Sequence, residues 1–582
     1  MQTTESAGFP ASRASRAVRG ILGWRSVFLV LLAVPALGPV GVILAQSFDT
    51  SGLGEPFRFG VGAWRAVLGA PETLSTFTTS LLLTVRVPAG LAIGFAIAWA
   101  VVRLRVPGHQ VFEYLCWFAY FLPTVPMVSG WVLLMDRDFG LLNAAVEGLG
   151  LPAPFDIRSP GGIVWVHLSL QTVPLLTILT IPALRLLDRT PEDAALVAGA
   201  RPARVLGRVI LPLVAPAILL AGLASWIKAL EAFEVEQLLG ERVASFVVST
   251  RIYGMVSSEP PRMAEAMALS MIFLLLLLGL GLLYSRALRW RGQGAANRGE
   301  GSGGARPSYG TLLRRSVSVA VGLYLAITIL LPFGMLVMGS FMKLFGFFAL
   351  DQVWTTSNWS RVLGSASFGA SLRATLTLGL ATALPGALLF GLIAAGMTRL
   401  RGPQAAAAAV LVWLPWAFPG IILGVAILEV SLTFPGMRML HGTIAPLILG
   451  LLIRDLPIGV HVMRNALTET DSTMADAARI SGAGWLRTFL RISLPLQMPA
   501  LTLVFLILFA GAIRDVGTII LVAPPGFQTL SLQTFNYISN SQFEMATVLG
   551  TIVALLALAI SVLAHLLGRR LGSVRSAVGT RA

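Results

Sequence analysis

The chain has 582 residues, of which 56% are hydrophobic and only 12% charged, with a mean hydropathy of +0.80. Soluble globular proteins carry about 25% charged residues, so this composition excludes an ordinary water-soluble domain and places the chain in a bilayer. The net charge of +16 is set by arginines whose placement orients the chain in a membrane, and it requires no nucleic-acid partner.

Apolar runs of about 20 residues, the length that crosses a hydrocarbon core of roughly 30 Å, recur near 26–47, 80–102, 112–135, 163–184, 213–233 and 265–285. A second set follows near 316–339, 372–396, 405–430, 443–463, 496–517 and 546–567. They predict an all-α polytopic membrane protein with about 12 transmembrane helices. The arginine-bearing tail before the first run imitates a signal peptide, but the run exceeds a typical h-region and reads as an uncleaved helix. Cys116 is the only cysteine and falls in the third run, which excludes disulfides and cysteine metal clusters.

The glycine-rich, polar stretch 291–308 has the composition of a flexible linker. The expected organisation is a cytoplasmic tail over 1–25, a first six-span unit over 26–290, a cytoplasmic linker over 291–313 and a second unit over 314–582. With the N-terminus in the cytoplasm, 28 of the 43 basic residues fall on that side, among them Arg103, Arg201, Arg204, Arg399, Arg487 and Arg569. That is the positive-inside pattern, and it puts both termini on the cytoplasmic face of the membrane. Two units that enter and leave on the same side are parallel repeats about an axis along the membrane normal.

The repeat is also legible residue by residue. An offset of 296 pairs Arg105 with Arg401, Trp117 with Trp413 and Pro123 with Pro419; an offset of 283 pairs Pro174 with Pro457, Asp193 with Asp476 and Pro212 with Pro495. The thirteen residues of difference fall in an outer loop, long at 136–162 and short at 431–442, where insertions are tolerated. The closest copy is Asp193-Ala194-Ala195, Gly199 and Val209-Ile210-Leu211-Pro212, which returns as Asp476-Ala477-Ala478, Gly482 and Ile492-Ser493-Leu494-Pro495. Asp193 opens a helix, where its charge meets the positive helix end. Gly199 permits a turn. Arg201, Arg204 and Arg208 then line one face of a second short helix, and Leu211-Pro212 begins the next span. One such copy is ordinarily an amphipathic loop at the headgroups; two with matched spacing point to paired docking elements.

This pattern resembles the EAA loop of permease subunits in binding-protein-dependent ABC importers, with aspartate in place of the usual glutamate. The resemblance covers nearly the whole chain and implies two parallel six-helix permease repeats of the type I importer fold. It implies that Asp193 to Gly199 and Asp476 to Gly482 contact two copies of a cytoplasmic ABC ATPase, with Arg201, Leu211, Pro212, Leu494 and Pro495 in the same coupling segments. It further implies a solute-binding protein on the outer face. Lys228 follows Ile227 and Lys343 follows Met342, so neither lysine sits in a phosphate-binding GxxxxGK[ST] loop. ATP and magnesium are therefore expected on partner subunits. No catalytic residues and no metal ligands are expected in this chain, whose five histidines are scattered.

Charges inside spans are costly and usually face a protein interior or cavity. Arg454-Asp455 lies midway in the tenth run, just before Pro457, where the first unit has Gln171-Thr172 before Pro174. Lys228, Glu231, Glu234 and Glu236 follow the fifth run and Arg514-Asp515 the eleventh. Glu231, Glu234, Arg454, Asp455, Arg514 and Asp515, with the helix-breaking Pro123 and Pro419, are candidates for a translocation path or gate. The common alternatives are ion pairs between helices, charges snorkelling at span ends and ordinary proline kinks. Two permease units in one chain, with the residues around Glu231 and Arg514, further resemble ferric-iron importers; thiamine, putrescine, sulfate and aminophosphonate importers have related permeases. An ion-coupled secondary transporter would explain the duplication but not two matched cytoplasmic loops. A membrane enzyme would need a convergent catalytic constellation.

Overall fold

The computed structural model describes residues 11–51, 56–188, 190–240, 246–291, 310–469 and 473–579. Most of the linker, 292–309, and the first ten residues lie outside that set. Among the described residues the chain is mostly helical, with isolated bridges such as Asp49 with Phe59 and Met342 with Trp354.

Among the described residues, nine helices are long and apolar enough to cross a membrane: Gly23–Gln46, Pro71–Leu104, Pro160–Leu186, Ala203–Leu230, Met263–Leu282, Thr311–Gly339, Ala366–Met397, Ala445–Thr468 and Phe543–Leu563. Three further pairs pass the same test but are sharply bent: His109–Phe121 with Thr124–Met135, Gly402–Ala417 with Gly420–Thr433, and Leu490–Leu496 with Met498–Arg514. Counting each bent pair once gives twelve spans, numbered 1 to 12 in chain order, in register with the twelve apolar runs. Helix Ala11–Gln46 starts well before span 1, within the expected tail.

Spans 3 and 9 are not single helices, because each contains a proline that the helix cannot absorb. They fold back through 106° and 102°. Leu122 and Pro123 are extended, at φ −62° and −70°, and so are Phe418 and Pro419, at −94° and −52°. Proline lacks the N–H that would continue the ladder and pushes the residue before it out of the helical region. Both breaks fall at positions related by the offset of 296.

The two runs of six spans are interleaved. Span 1 packs on both limbs of span 9 and on span 6, and span 7 packs on span 3 and span 12. Leu32 of span 1 is buried with Phe390 and Val412, while Leu325, Ile329 and Leu336 of span 7 are buried with Met127 and Trp131. Small residues permit the close approaches: a Cβ on Gly130 would stand 2.1 Å from the Pro332 carbonyl oxygen. Such contacts are how helices associate where lipid removes the hydrophobic driving force.

Equivalent polar contacts recur in the two halves, close to but not at the two sequence offsets. Trp64 donates from Nε1 to Ser47 Oγ at 3.1 Å, and Trp359 donates to Ser340 Oγ at 3.1 Å. The helix Val248–Val256 begins with its first N–H donating to Ser80 Oγ of span 2 at 3.0 Å; the helix Leu530–Ser539 begins with its first N–H donating to Thr375 Oγ1 of span 8 at 2.8 Å. Each hydroxyl satisfies a donor that a helix start leaves unpaired.

Candidate functional site: the repeated segments and the central polar cluster

The repeated segments have one backbone conformation. Helix Thr190–Val197 carries Glu192 and Asp193 in its first turn, so the helix starts three residues before Asp193. Helix Thr473–Ile480 stands 283 positions later. Gly199 and Gly482 then adopt φ of +82° and +84°, the left-handed region that glycine enters at least cost. Around them the bonds are the same. Ala198 N–H donates to Ala194 O and Ala200 N–H to Ala195 O, both at 3.0 Å; Ser481 N–H donates to Ala477 O and Ala483 N–H to Ala478 O, both at 3.0 Å. This is the glycine-terminated helix end in which a residue beyond the glycine closes back onto the last turn.

The second short helix of each segment, Pro202–Val205 or Trp485–Thr488, passes through a π-helical turn, Leu206–Ile210 or Phe489–Ser493, directly into the next span. Span 5 therefore begins at Ala203, ahead of Leu211-Pro212. Arg201, Arg204 and Arg208 are exposed, as are Arg487 and Arg491. Ala194, Leu211 and Pro212 are exposed, Ala195 and Leu494 half-buried, and Pro495 exposed. Asp193 is half-buried, with an Oδ1 atom that has no hydrogen-bond partner among the described residues. The Asp476 side chain lies outside the described set.

The six charged path candidates come together beside the breaks. Arg454 donates from Nε to Asp455 Oδ1 at 2.9 Å and from Nη2 to Asp455 Oδ2 at 3.0 Å, and its Nη1 pairs with Asp515 at the end of span 11. Asp515 also accepts from Thr518 N–H at 3.0 Å. Arg514 reaches across to span 3, donating from Nη1 to the Tyr120 carbonyl at 2.6 Å with its guanidinium 5.2 Å from the Tyr120 ring centre. Glu231 accepts from Lys228 Nζ at 2.6 Å and feels the charge of Arg454. Glu234 lies within the charge field of Arg514 and Arg454. The Glu231 side chain is only 8% exposed, so it does not snorkel outward. Pro123 follows Tyr120 by three residues, and Pro419 precedes Gly420, whose Cβ position lies 2.9 Å from Thr518 Oγ1.

A second buried group was not among the sequence candidates. Arg86 of span 2 pairs with Glu236 at 3.2 Å and donates to the Ala229 carbonyl at 2.7 Å. His167 Nε2 stands 2.9 Å from the same Glu236 oxygen, and its Nδ1 stands 3.3 Å from Gln171 Oε1. Gln171 in turn donates to Thr124, the first residue beyond the Pro123 break, at 2.7 Å. A lone arginine in an apolar run was the available signal. Its partners lie 150 and 81 residues away, beyond the reach of any periodicity. The offsets place Thr382 and Gly450 where the first unit has Arg86 and His167, so the triad belongs to one half.

Among the described residues no group of three or more histidine, cysteine, aspartate or glutamate side chains is arranged to hold a metal ion. What the geometry provides is two matched surface segments continuous with spans, and a charged cluster where the broken spans meet.

Comparison with known proteins bears on this arrangement. The profile of the family described as "Binding-protein-dependent transport system inner membrane component" matches residues 387–573. The chain is 27% identical over 510 residues, 83% of its own length and 84% of the other's, to a protein of Sinorhizobium fredii called "Probable ABC transporter permease protein y4fN". It is 25% identical to the "Ferric transport system permease protein FbpB" of Actinobacillus pleuropneumoniae, over 67% of this chain and 56% of that one. It is 30% identical to the "Molybdate/tungstate transport system permease protein WtpB" of Thermococcus kodakarensis, over 34% of this chain and 79% of that one. With this similarity and its many membrane spans, the chain belongs to the inner-membrane permease subunits of binding-protein-dependent ABC importers.

Proposed function

We propose that the chain carries ferric iron from a solute-binding protein to the cytoplasm, driven by two copies of an ABC ATPase that seat on Asp193–Gly199 and Asp476–Gly482. The observation that carries the two-site reading is the identical backbone of the two segments, down to the positive φ of Gly199 and Gly482 and the paired bonds around them. Each segment runs through a π-helical turn into the next span, so a push on the segment is delivered to the membrane helices. Asp193 Oδ1, without a hydrogen-bond partner among the described residues, is suited to accept a bond from the ATPase. In this reading both termini and both segments face the cytoplasm, ATP and magnesium bind the ATPases, and this chain hydrolyses nothing.

Transport requires that the route be closed on one side at a time. Pro123, Pro419, Arg454, Asp455, Arg514, Asp515, Glu231 and Glu234 form that closure in our reading. Their bonds join span 3 to the end of span 11, and span 10 to that same end. Because a binding protein supplies the selectivity, the permease needs no tight cage for its cargo. Similarity to the ferric-transport relative over 67% of the chain supports iron. A second reading, an oxyanion such as sulfate, draws on the relative named for molybdate and tungstate; thiamine, putrescine and aminophosphonate are related options.

The test is uptake of radiolabelled ferric iron and of radiolabelled sulfate by cells with and without this gene, the neighbouring ATPase and binding-protein genes being intact. Iron uptake that disappears with the gene and returns with it supports the iron assignment. Unchanged iron uptake with lost sulfate uptake replaces it. Uptake that persists after ATP is depleted while an ion gradient is maintained would favour the ion-coupled alternative.

A further inference from the structure

The offset of 296 pairs Tyr120 with Trp416, and the offset of 283 pairs Glu231 with Arg514. One contact across these four positions is made: Arg514 donates to the Tyr120 carbonyl and lies over its ring. We propose that its twin, Trp416 with Glu231, closes in a second conformation of the transport cycle, the indole N–H of Trp416 donating to the Glu231 carboxylate, so that Trp416 is a positioning residue for span 9. The proposal rests on the reading of these residues as the closure of the route.

Two orphaned atoms carry the inference. Trp416 Nε1 and Glu231 Oε1 are both out of reach of solvent, and neither has a hydrogen-bond partner among the described residues. Glu231 engages Lys228 through its other oxygen, Oε2. A buried donor or acceptor left unmade carries the full cost of its desolvation, so a donor and an acceptor orphaned together at matched positions require an account. Trp131 and Trp165 also lack partners for their indole N–H groups, but they sit within an apolar cluster. Trp416 instead stands at the counterpart of a residue that the end of span 11 already holds.

The chemistry of the four positions is complementary in both directions. Arg514 can only donate, and it meets a carbonyl and an aromatic face; a Glu231 carboxylate can only accept, and the position that answers it carries an indole that can only donate. The two sides already share a neighbourhood. Leu230 and Phe233, which flank Glu231, are buried in one apolar cluster with Phe418 and Ile421, which follow Trp416. Phe233 and Ile421 lie 3.7 and 4.0 Å from the Cβ position of Gly517. Arg454, whose charge reaches Glu231, shares span 10 with His461, on which Trp413 packs at 5.8 Å. With one contact made and its twin open, the halves depart from two-fold symmetry at this level. A movement that restores the symmetry brings the indole to the carboxylate, and two copies of one ATPase closing together drive the chain toward that symmetry.

The experiment uses the complete importer, with its ATPase and binding protein, and compares thermal midpoints without nucleotide and with a non-hydrolysable ATP analogue. Cys116, the only cysteine of the chain and buried, reports its unfolding through a thiol-reactive dye when the partner proteins carry no cysteine. Trp416→Phe removes the N–H and keeps an aromatic ring beside Trp413, whose ring centre lies 5.0 Å away. It is expected to leave the nucleotide-free midpoint unchanged and to lower the analogue-bound one by about 2–4 °C, the shift of one lost hydrogen bond in a large chain. In a double-variant cycle, Trp416→Phe and Glu231→Gln should be coupled with the analogue and additive without it. Equal shifts in the two states mean an ordinary packing role and overturn the proposal, as does no shift in either. Should Trp416→Phe fail to assemble, Glu231→Gln decides: its shift must be larger with the analogue, and equal shifts overturn the proposal. Uptake by Arg514→Met separates the two levels. If that variant transports normally, the closure itself is wrongly assigned; if it is impaired while Trp416→Phe shifts neither midpoint, only the second contact fails.

Discussion

Arg514 donates to the backbone carbonyl of Tyr120 at 2.6 Å and lies 5.2 Å from the centre of its ring, although the two residues are 394 positions apart. The contact joins the end of span 11 to the residue that precedes the break of span 3. A charged hydrogen bond is worth about 1.5–3 kcal/mol and a partly exposed cation over an aromatic face about 0.5–1 kcal/mol. Only arginine makes both, since its planar fork stacks and donates together. Arg514→Lys should therefore lower the thermal midpoint of the purified permease and slow transport several-fold, and Arg514→Met should do both to a greater degree. Differential scanning fluorimetry with an uptake assay checks this; an unchanged midpoint in both variants would remove the contact from the account.

Arg454 is shared by Asp455 and Asp515, which predicts strong non-additivity. Arg454→Met leaves two carboxylates facing each other in a mostly buried site and should cost about 3 kcal/mol or more. Asp515→Asn should cost less, because Asp455 still holds the guanidinium. The Arg454→Met, Asp515→Asn double variant should be less impaired than the sum of the singles by about 1–3 kcal/mol. Denaturation of the four proteins in matched detergent measures the coupling, and strict additivity would mean that the contact is structurally idle.

Gly199 and Gly482 are expected to respond alike. A Cβ at either position meets nothing within 4 Å, so Gly199→Ala and Gly482→Ala should cost only the left-handed backbone strain, about 1 kcal/mol each. Both variants should insert normally and transport more slowly by similar factors. A variant that transports normally would show that the turn is not needed for coupling.

Gly130 provides a steric contrast. Its Cβ position is 2.1 Å from the backbone oxygen of Pro332, which cannot rotate away, whereas the Cβ position of Gly38 meets nothing within 4 Å. Gly130→Ala should cost about 1–3 kcal/mol by forcing spans 3 and 7 apart, and Gly38→Ala should be neutral. Equal midpoints for the two variants would contradict the interleaving of the halves.

Much of this was legible in the sequence, because it depends on local pattern. The twelve apolar runs, the two offsets, Pro123 and Pro419 as breaks, and Arg454-Asp455 as an inward charge pair were all readable from spacing and from the cost of placing charge in lipid. The joining of Glu231, Glu234, Arg514 and Asp515 to Arg454 was not readable in this way, because in the sequence they form two separate groups and their meeting depends on how the spans pack. Other features were not readable. The exchange of spans 1 and 7 between halves depends on surface fit, not on periodicity. The Arg86–Glu236–His167 group joins residues far apart, and half of its logic is the absence of a counterpart in the second unit. The ends of helices also shifted: the first segment's helix begins at Thr190 and span 5 at Ala203, because the π-helical turn carries the helix through Leu211-Pro212 without a break.

In the function proposed above, the two matched segments couple this permease to ATP hydrolysis. Its most direct test is substrate uptake by proteoliposomes holding the permease, its ATPase and its binding protein, comparing the wild type with Asp193→Arg plus Asp476→Arg. ATP-dependent uptake is expected in the first and none in the second, with equal permease content in both. Equal uptake by the two preparations would contradict it.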